Sequence, residues 1–341
     1  MSQFDSQLTS LGWDHNFEEK FKQAAGPREV PARVLADFAA EYLLHDGQRT
    51  RRATARHVDP AVGDWVSVEG DTIQSIVGRR TVFARQSSGT ETRQQVLAAN
   101  VDVTFVVAAA TDVNARRVER YLTIAWQSGA MPVVVLTKAD LLASPDEALS
   151  ELETAAPGSP VAVTSSVTGA GLEEIRRYLQ PNRTGVLLGP SGVGKSTLIN
   201  GLVGAAVMRT REIHESSGEG RHMTSHRQLV QLPGGGMIID TPGVREAQLW
   251  EGEDALAAVF DDIEELGRRC RFNDCAHRSE PGCAIKPALA DGTLDAGRFE
   301  SYRKLQRELK SIAARNDARL RIEERRKWRN FSRAVRTRIR P

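Results

Sequence analysis

The sequence lacks any long hydrophobic run and has only three cysteines in 341 residues. Its longest apolar stretches, such as residues 105–110 and 131–136, fall far short of the roughly 18 residues that a membrane span needs. No apolar run follows a basic start near Met1, so we expect no secretory signal and place the protein in the cytoplasm. An odd number of cysteines outside the secretory route argues against a disulfide framework and favours a metal site.

The composition is that of a folded protein with an uneven charge distribution. Hydrophobic residues make up 40% of the chain, which excludes disordered and fibrous classes, and the length predicts two or three domains. The net charge is +2, but residues 301–341 hold 15 Lys and Arg against 4 Asp and Glu, a local charge of +11 that leaves −9 for the rest. A basic tail on an acidic body predicts a polyanionic partner.

The hydrophobic pattern changes three times along the chain. Residues 1–30 read as a polar, partly helical lead-in, and residues 31–98 as short strands broken by turn signals. Those strands predict a small antiparallel barrel, either OB-like, a fold that often binds oligonucleotides, or a generic β domain. Over residues 99–250, buried strands alternate with helices, as in a parallel sheet covered on both faces. Residues 251–341 contain a cysteine-bearing segment and the basic tail.

Residues 189–196, with the sequence GPSGVGKS, fit the phosphate-binding pattern G-x-x-x-x-G-K-[ST] and are called the P-loop below. They lie between a predicted strand and a predicted helix, so backbone N–H groups and the helix dipole can meet phosphates there. We expect Lys195 to reach the β- and γ-phosphates and Ser196 to ligate Mg²⁺. An incidental glycine-rich turn is the alternative. The predicted nucleotide contacts of this region are Gly189, Pro190, Ser191, Gly192, Val193, Gly194, Lys195, Ser196 and Thr197.

Two further loops predict which base is bound. Thr137, Lys138 and Asp140 resemble the [NT]-K-x-D element with which GTPases read guanine. A carboxylate at Asp140 can accept hydrogen bonds from both N1 and N2 of guanine, a pair of donors that adenine lacks. Ser165 and Ser166, after the next strand, resemble the loop that backs the base. A helix-capping turn would explain the four residues by themselves, but the P-loop favours guanine recognition.

A D-x-x-G motif at residues 240–243 closes an apolar strand. Asp240 can there reach Mg²⁺, and the Gly243 N–H can approach the γ-phosphate; a purely structural turn is the alternative. The guanine reader precedes the P-loop in this chain, whereas most GTPases have the reverse order. The sequence therefore predicts a circularly permuted domain.

The group that would orient the attacking water is not the usual one. Ras-like enzymes place a glutamine directly after D-x-x-G, but Val244 stands there and predicts slow intrinsic hydrolysis. In the polar segment 209–226, His222 is a candidate for positioning the water and Thr224 is a candidate Mg²⁺ ligand. A surface loop and an exposed histidine without a role are the alternatives.

All three cysteines and one histidine fall within fourteen residues, at Cys270, Cys275, His277 and Cys283. Three thiolates and an imidazole predict a closed, tetrahedral and therefore structural Zn²⁺ site, with chance clustering as the alternative.

In the tail, residues 325–331 interleave basic residues with Trp328 and Phe331. That pattern suits phosphate contact with stacking or a solvated basic helix.

Over nearly its whole length the sequence resembles the ribosome-small-subunit-dependent GTPase A (RsgA) family. The motifs that carry the resemblance are the nucleotide motifs and residues 62–66, 95–102, 220–222 and 270–283. The resemblance implies an α/β P-loop GTPase domain, circularly permuted, with an N-terminal OB-like β-barrel and a C-terminal α-helical zinc-binding domain. It further implies a monomer that binds no membrane and uses Mg²⁺ with GTP and one structural Zn²⁺.

The implied activity is hydrolysis of GTP to GDP and phosphate, stimulated by the small (30S) ribosomal subunit and its rRNA during late maturation of that subunit. His222 matches the family's catalytic histidine, Thr224 lies in its switch threonine run, and Lys195 completes the expected catalytic set. Thr137 replaces the usual asparagine, and Met223 and Ser225 interrupt the threonine run. The competing hypothesis is a GTP-gated RNA- or ribosome-binding factor with little turnover.

Overall fold

The structure is a computed structural model, and its described residues divide into two compact units. It describes residues 3–38, 41–86, 94–204, 227–240, 253–278 and 280–313. The first unit contains the described residues up to Asp240 except Gln86 and Gln94, and the second contains those from Glu253 onward. Within these ranges, no helix has both the length and the apolar character to cross a membrane.

Five strands at the start of the first unit close into a barrel. They are β1 Val30–Asp37, β2 Tyr42–His45, β3 Thr50–Ala55, β4 Trp65–Glu69 and β5 Thr72–Gly78. Their order is β1-β2-β3-β5-β4, and β4 returns to pair with β1, a closure expected of an OB-like barrel. The prediction of a wholly antiparallel barrel was wrong in one detail, because β3 and β5 pair in parallel. The reason is that β4 intervenes between them along the chain.

Two short helices of the lead-in pack against the barrel. They are α1 Gln3–Ser10 and α2 His15–Ala24. Asp14 caps α2 by accepting hydrogen bonds from the backbone of Asn16 and Phe17, which satisfies N–H groups that have no partner inside the helix. Phe17 is fully buried, and the Trp13 ring lies edge-on at 4.6 Å from that of Trp65 in β4. These aromatic contacts attach the lead-in to the barrel wall.

The rest of the first unit is built on a sheet with helices on its faces. Its strands are β8 Val103–Ala109, β9 Met131–Thr137, β10 Val161–Val163, β11 Thr184–Leu188, β12 Arg227–Gln231 and β13 Met237–Asp240, and a separate two-stranded sheet contains β6 Val82–Gln86 and β7 Gln94–Ala99. The helices are α3 Ala115–Ser128, α4 Asp146–Ala155, α5 Leu172–Tyr178 and α6 Lys195–Val203.

The order of these strands explains how a permuted chain forms one site. The sheet runs β10-β9-β8-β11-β13-β12, and only β12 is antiparallel to its neighbour. Strand β11, which leads into the P-loop, therefore lies between β8 and β13 although β9 and β10 precede it in the chain. Parallel strands end at the same edge, so the loops after β8, β9, β10 and β11 and the end of β13 meet there.

The barrel and this sheet are continuous, because β1 pairs with β12 to give eleven strands in one hydrogen-bonded array. Arg33 of β1 adds a second connection. Its fully buried guanidinium donates to Leu11 O at 2.8 Å, Asn100 O at 3.3 Å and Thr184 Oγ1 at 3.1 Å. Burial lowers the pKa of Arg33 to about 10, against the opposing effect of Asp102 and Asp64. One side chain thus joins the lead-in, the barrel and the start of β11.

In the second unit the described residues form helices around a small core. The elements are α7 Glu253–Val259, α8 Asp261–Arg268, α9 Ile285–Ala290 and a helical segment over residues 296–313. Buried Arg298 bridges two of them, donating to both carboxylate oxygens of Asp262 at 2.8 and 2.9 Å and to Val259 O at 2.7 Å. The predicted basic tail beyond residue 313 lies outside the described residues.

Substitution of Gly63 tests the contact between barrel and sheet. Gly63 has φ +90°, and a Cβ there would lie 2.2 Å from Ala99 O; Gly70 has φ +58° and open space around its Cβ position. Alanine at either position costs about 1–2 kcal/mol for the left-handed backbone, and Gly63→Ala adds about 1–3 kcal/mol of overpacking. Urea unfolding of the two variants measures this difference, and equal losses of unfolding free energy would contradict the contact.

Candidate nucleotide and metal sites

The P-loop connects the end of β11 to the start of α6 and lies close against β8. A Cβ on Gly189 would lie 2.7 Å from Val107 O, so a residue without a side chain is needed for this approach. Lys195 begins α6 and is largely buried. Its ammonium donates to Gly189 O at 2.8 Å and to Pro190 O. The cation therefore lies over the P-loop backbone, at the helix N-terminus where anions are favoured.

The loop after β9, residues 137–140, is tied to the P-loop by two side chains and is called the base-reading loop below. The buried Thr137 hydroxyl donates to Val193 O at 2.6 Å and lies 3.1 Å from Ala108 O. The Lys138 ammonium donates to Gly192 O at 2.8 Å. Thr137 stands where most GTPases have asparagine, and its hydroxyl makes this contact with the P-loop.

The carboxylate predicted to read guanine is exposed. Asp140 lies in a 3₁₀ turn at Ala139–Leu141, which is held to the next strand by a hydrogen bond from Ala139 N to Thr164 O at 3.2 Å. Ser165 is buried, and its hydroxyl accepts from the Thr168 backbone at 3.2 Å. Asp140 and the half-buried Ser166 thus stand on adjacent, braced loops at the same edge of the sheet.

Asp240 ends β13 at the same edge and is half-buried. Its backbone pairs with that of Gln228 in β12. The candidates for positioning water and for ligating Mg²⁺, His222 and Thr224, lie outside the described residues, as do Gly243, which was expected near the γ-phosphate, and Val244. Among the described predicted residues, the structure brings together the P-loop, the base-reading loop, Ser165, Ser166 and Asp240.

A cavity of about 160 Å³ borders the P-loop and was not foreseen from the sequence. Asp112, Arg117 and Tyr121 line it from the loop after β8 and from α3, and Lys138 and Ser191 line it from the two braced loops. Nothing in the local sequence around Arg117 or Tyr121 indicates this position, because it depends on how α3 packs against β8 and β9.

The four residues of the Cys and His cluster converge in the second unit. Their ligand atoms all lie within 4.8 Å of one another, and His277 Nδ1 lies 3.6 Å from the sulfurs of both Cys270 and Cys283. Metal bonds of about 2.3 Å to sulfur and about 2.05 Å to nitrogen, at a tetrahedral angle, separate the two atoms by about 3.6 Å. The donor set and its spacing therefore fit one tetrahedral metal ion.

Surrounding groups contact these ligands and shift the pKa values of three of them. Ala284 N donates to Cys270 Sγ at 3.3 Å. Burial alone would raise the pKa of Cys283, but backbone N–H groups of Lys286 and Ile285 outweigh it and lower that pKa. Burial lowers the pKa of His277, which favours the neutral imidazole that binds metals. Burial raises the pKa of Cys275 to about 11, so a metal ion bound there would have to displace the proton of that thiol.

Comparison with known proteins identifies relatives that match most of the chain. The family model described as RsgA GTPase matches residues 76–250. Proteins named small ribosomal subunit biogenesis GTPase RsgA are similar over most of their length. That of Streptomyces avermitilis is 45% identical, covering 94% of this chain and 90% of the relative. That of Syntrophotalea carbinolica is 40% identical, covering 96% of each chain.

Two solved structures share the fold. YjeQ from Thermotoga maritima has a TM-score of 0.61 at 25% identity, covering 82% of this chain and 98% of its own. YloQ, described as a circularly permuted GTPase, has a TM-score of 0.59 at 22% identity, covering 84% of this chain and 97% of its own. The predicted permutation is confirmed by this likeness and by the strand order.

Thr137→Val tests the brace between the two loops. The nearly isosteric change removes the donor to Val193 O, and the loss of one such hydrogen bond, about 1 kcal/mol, should weaken guanine nucleotide binding roughly fivefold. Thr164→Val is the matched control, because it removes another buried hydroxyl that donates to Leu136 O and not to the P-loop. Titration with a fluorescent GDP measures both. Equal affinity in wild type and Thr137→Val would exclude the brace as a determinant of binding.

Proposed function

The chain belongs to the RsgA GTPase family, and from this premise we propose that it hydrolyses GTP to GDP and phosphate during late maturation of the small (30S) ribosomal subunit. The observation that carries the proposal is the tie of Thr137 and Lys138 to carbonyls of Val193 and Gly192. It joins a loop suited to guanine directly to a loop suited to phosphates.

In this proposal the chain binds the nucleotide through three groups of residues. Backbone N–H groups of the P-loop and the Lys195 ammonium hold the β- and γ-phosphates. Asp140 accepts from the N1 and N2 groups of guanine, with Ser165 and Ser166 backing the base. Ser196 and Asp240, with Thr224, hold Mg²⁺, which neutralises charge that develops on the phosphates.

Hydrolysis requires a group that orients water, and the side chain of Val244 offers no hydrogen bond. We assign that task to His222, with Lys195 and Thr224 completing the catalytic set and Gly243 approaching the γ-phosphate. Slow turnover by the protein alone follows, together with acceleration when a partner positions His222. The 30S subunit is that partner in the proposal.

Contact with rRNA is supported by charge and by an aromatic side chain on the barrel. The Arg52 guanidinium lies 5.7 Å above the Phe38 ring, and Arg49 is exposed in the turn before β3. OB-like barrels often bind oligonucleotides through this part of the fold. Together with the local charge of +11 over residues 301–341, this surface suits a cytoplasmic monomer that binds a ribosomal particle.

We further propose that the metal of Cys270, Cys275, His277 and Cys283 is one structural Zn²⁺. Three sulfurs and one nitrogen are donors that zinc prefers, and they fill all four positions, so none is left for a reacting water. The ion would stabilise the second unit, whose apolar core is small. It would take no part in hydrolysis.

A GTP-gated binding factor with little turnover is the second candidate. Val244 favours it, because a site without a water-orienting side chain can bind GTP while hydrolysing it only slowly. The two candidates share every binding residue and differ only in the chemical step.

Metal analysis tests the zinc proposal. We expect about one Zn per chain in the wild type. Cys275→Ser should lose the metal, and its second unit should no longer unfold cooperatively, because metal binding supplies folding free energy there. Asn273→Ser, in the same loop but without a ligand atom, is the matched control and should retain both. A second unit that is folded without metal would overturn the proposal.

Turnover with and without small ribosomal subunits tests the main proposal. We expect GTP hydrolysis to rise roughly tenfold or more, about 1.4 kcal/mol off the barrier, with no such rise for ATP or for large subunits. His222→Ala should lose the stimulation and keep nucleotide affinity. Tight binding to small subunits without stimulation would instead establish the second candidate.

A further inference from the structure

The barrel and the nucleotide sheet share one row of backbone pairs that reaches Asp240. Ala36 of β1 pairs with Gln228 of β12, and Gln228 pairs with Asp240 of β13. Neighbouring strands lie about 4.8 Å apart, so two steps along this row separate the barrel from the proposed Mg²⁺ ligand by about 10 Å. A displacement of the end of β1 therefore changes the position of β12 and, through it, that of Asp240.

The adjoining row carries an ion pair across the same boundary. Asp37 pairs with Arg227, and Arg227 NH1 lies 3.9 Å from Asp37 Oδ2. The same guanidinium nitrogen donates to Val96 O in β7 at 3.5 Å. Both side chains are largely covered, at 15% and 23% exposure. An ion pair that is partly removed from water is screened less than one at the surface.

The pair is a large part of the connection between the two sheets. Among the residues that the structure describes, β1 and β12 are joined through two registered pairs, Ala36 with Gln228 and Asp37 with Arg227. In the middle of β1, the buried Arg33 donates to Thr184 Oγ1 at the start of β11, and Gly63, whose N–H donates to Val34 O, lies close to Ile239 of β13. The barrel is thus held at the middle of β1 and, at the end nearer Asp240, by the two registered pairs.

We propose that Asp37 and Arg227 are positioning residues that transmit binding at the barrel to Asp240, and that the partner acting on the barrel is a structured RNA. This inference rests on the proposed function and adds the route by which the RNA and the nucleotide site influence each other. By linkage, whatever the RNA does to nucleotide affinity, the nucleotide does to RNA affinity. Neither residue touches the nucleotide in this scheme, so basal turnover does not depend on them.

The experiment compares affinity for small ribosomal subunits with and without a non-hydrolysable GTP analogue. Full-length wild type should bind at least about 5-fold more tightly with the analogue, whereas Asp37→Asn and Arg227→Gln should gain less than about 2-fold. Asp37→Glu retains the carboxylate and should restore the gain. Basal GTP turnover should stay near wild type in all of them, whereas a merely structural defect would lower basal turnover together with the analogue-dependent gain.

Asp71→Asn is the matched control. It neutralises an exposed acid of the barrel in the turn between β4 and β5, and these strands pair only with strands of the barrel. It should behave as wild type. A full analogue-dependent gain in Asp37→Asn and Arg227→Gln would overturn the inference, and so would a wild type that hydrolyses GTP with subunit stimulation but shows no gain. Absence of stimulated hydrolysis in wild type would instead refute the proposed function.

Discussion

The position of β11 between β8 and β13 is the constraint on which the nucleotide site depends. Because these strands are parallel, their carboxyl ends meet at one edge, and loops far apart in the chain come within hydrogen-bonding distance there. Thr137 precedes Val193 by 56 residues and yet donates to its carbonyl oxygen. The chain order of the strands can be permuted without loss of the site, because the order within the sheet decides which loops become neighbours.

A second consequence concerns the barrel, which is part of the same array of strands. The residues that carry the family resemblance at 62–66 and 95–102 meet at this boundary. Asp64 is buried and forms a bidentate pair with Arg79 at 2.8 and 2.6 Å, while the Asn100 amide donates to Gly63 O at 3.1 Å. Buried polar groups are tolerated only when they are paired. The motifs near the barrel therefore maintain the junction, and the nucleotide is bound elsewhere.

The two units reach stability by different means. The nucleotide sheet buries continuous apolar strands such as β8, in which all seven residues are buried. The second unit has short helices and relies on Arg298, bridging Asp262 and Val259, and on a cluster that fits a metal ion. Such hydrogen bonds and metal ligands add substantially to the stability of a small core, because the core buries too little apolar surface to offset chain entropy by itself.

The sequence alone determined the features that depend on near neighbours in the chain. The P-loop, the spacing of Cys270, Cys275, His277 and Cys283, and the permuted order are all legible there, because backbone turns and ligand sets form within a few residues. Only the tertiary structure decided that β3 pairs in parallel with β5, that Thr137 braces Val193, and that β1 extends the nucleotide sheet through Asp37 and Arg227. These contacts join residues that are distant in the chain, and local sequence carries no signal for a partner that long-range packing selects.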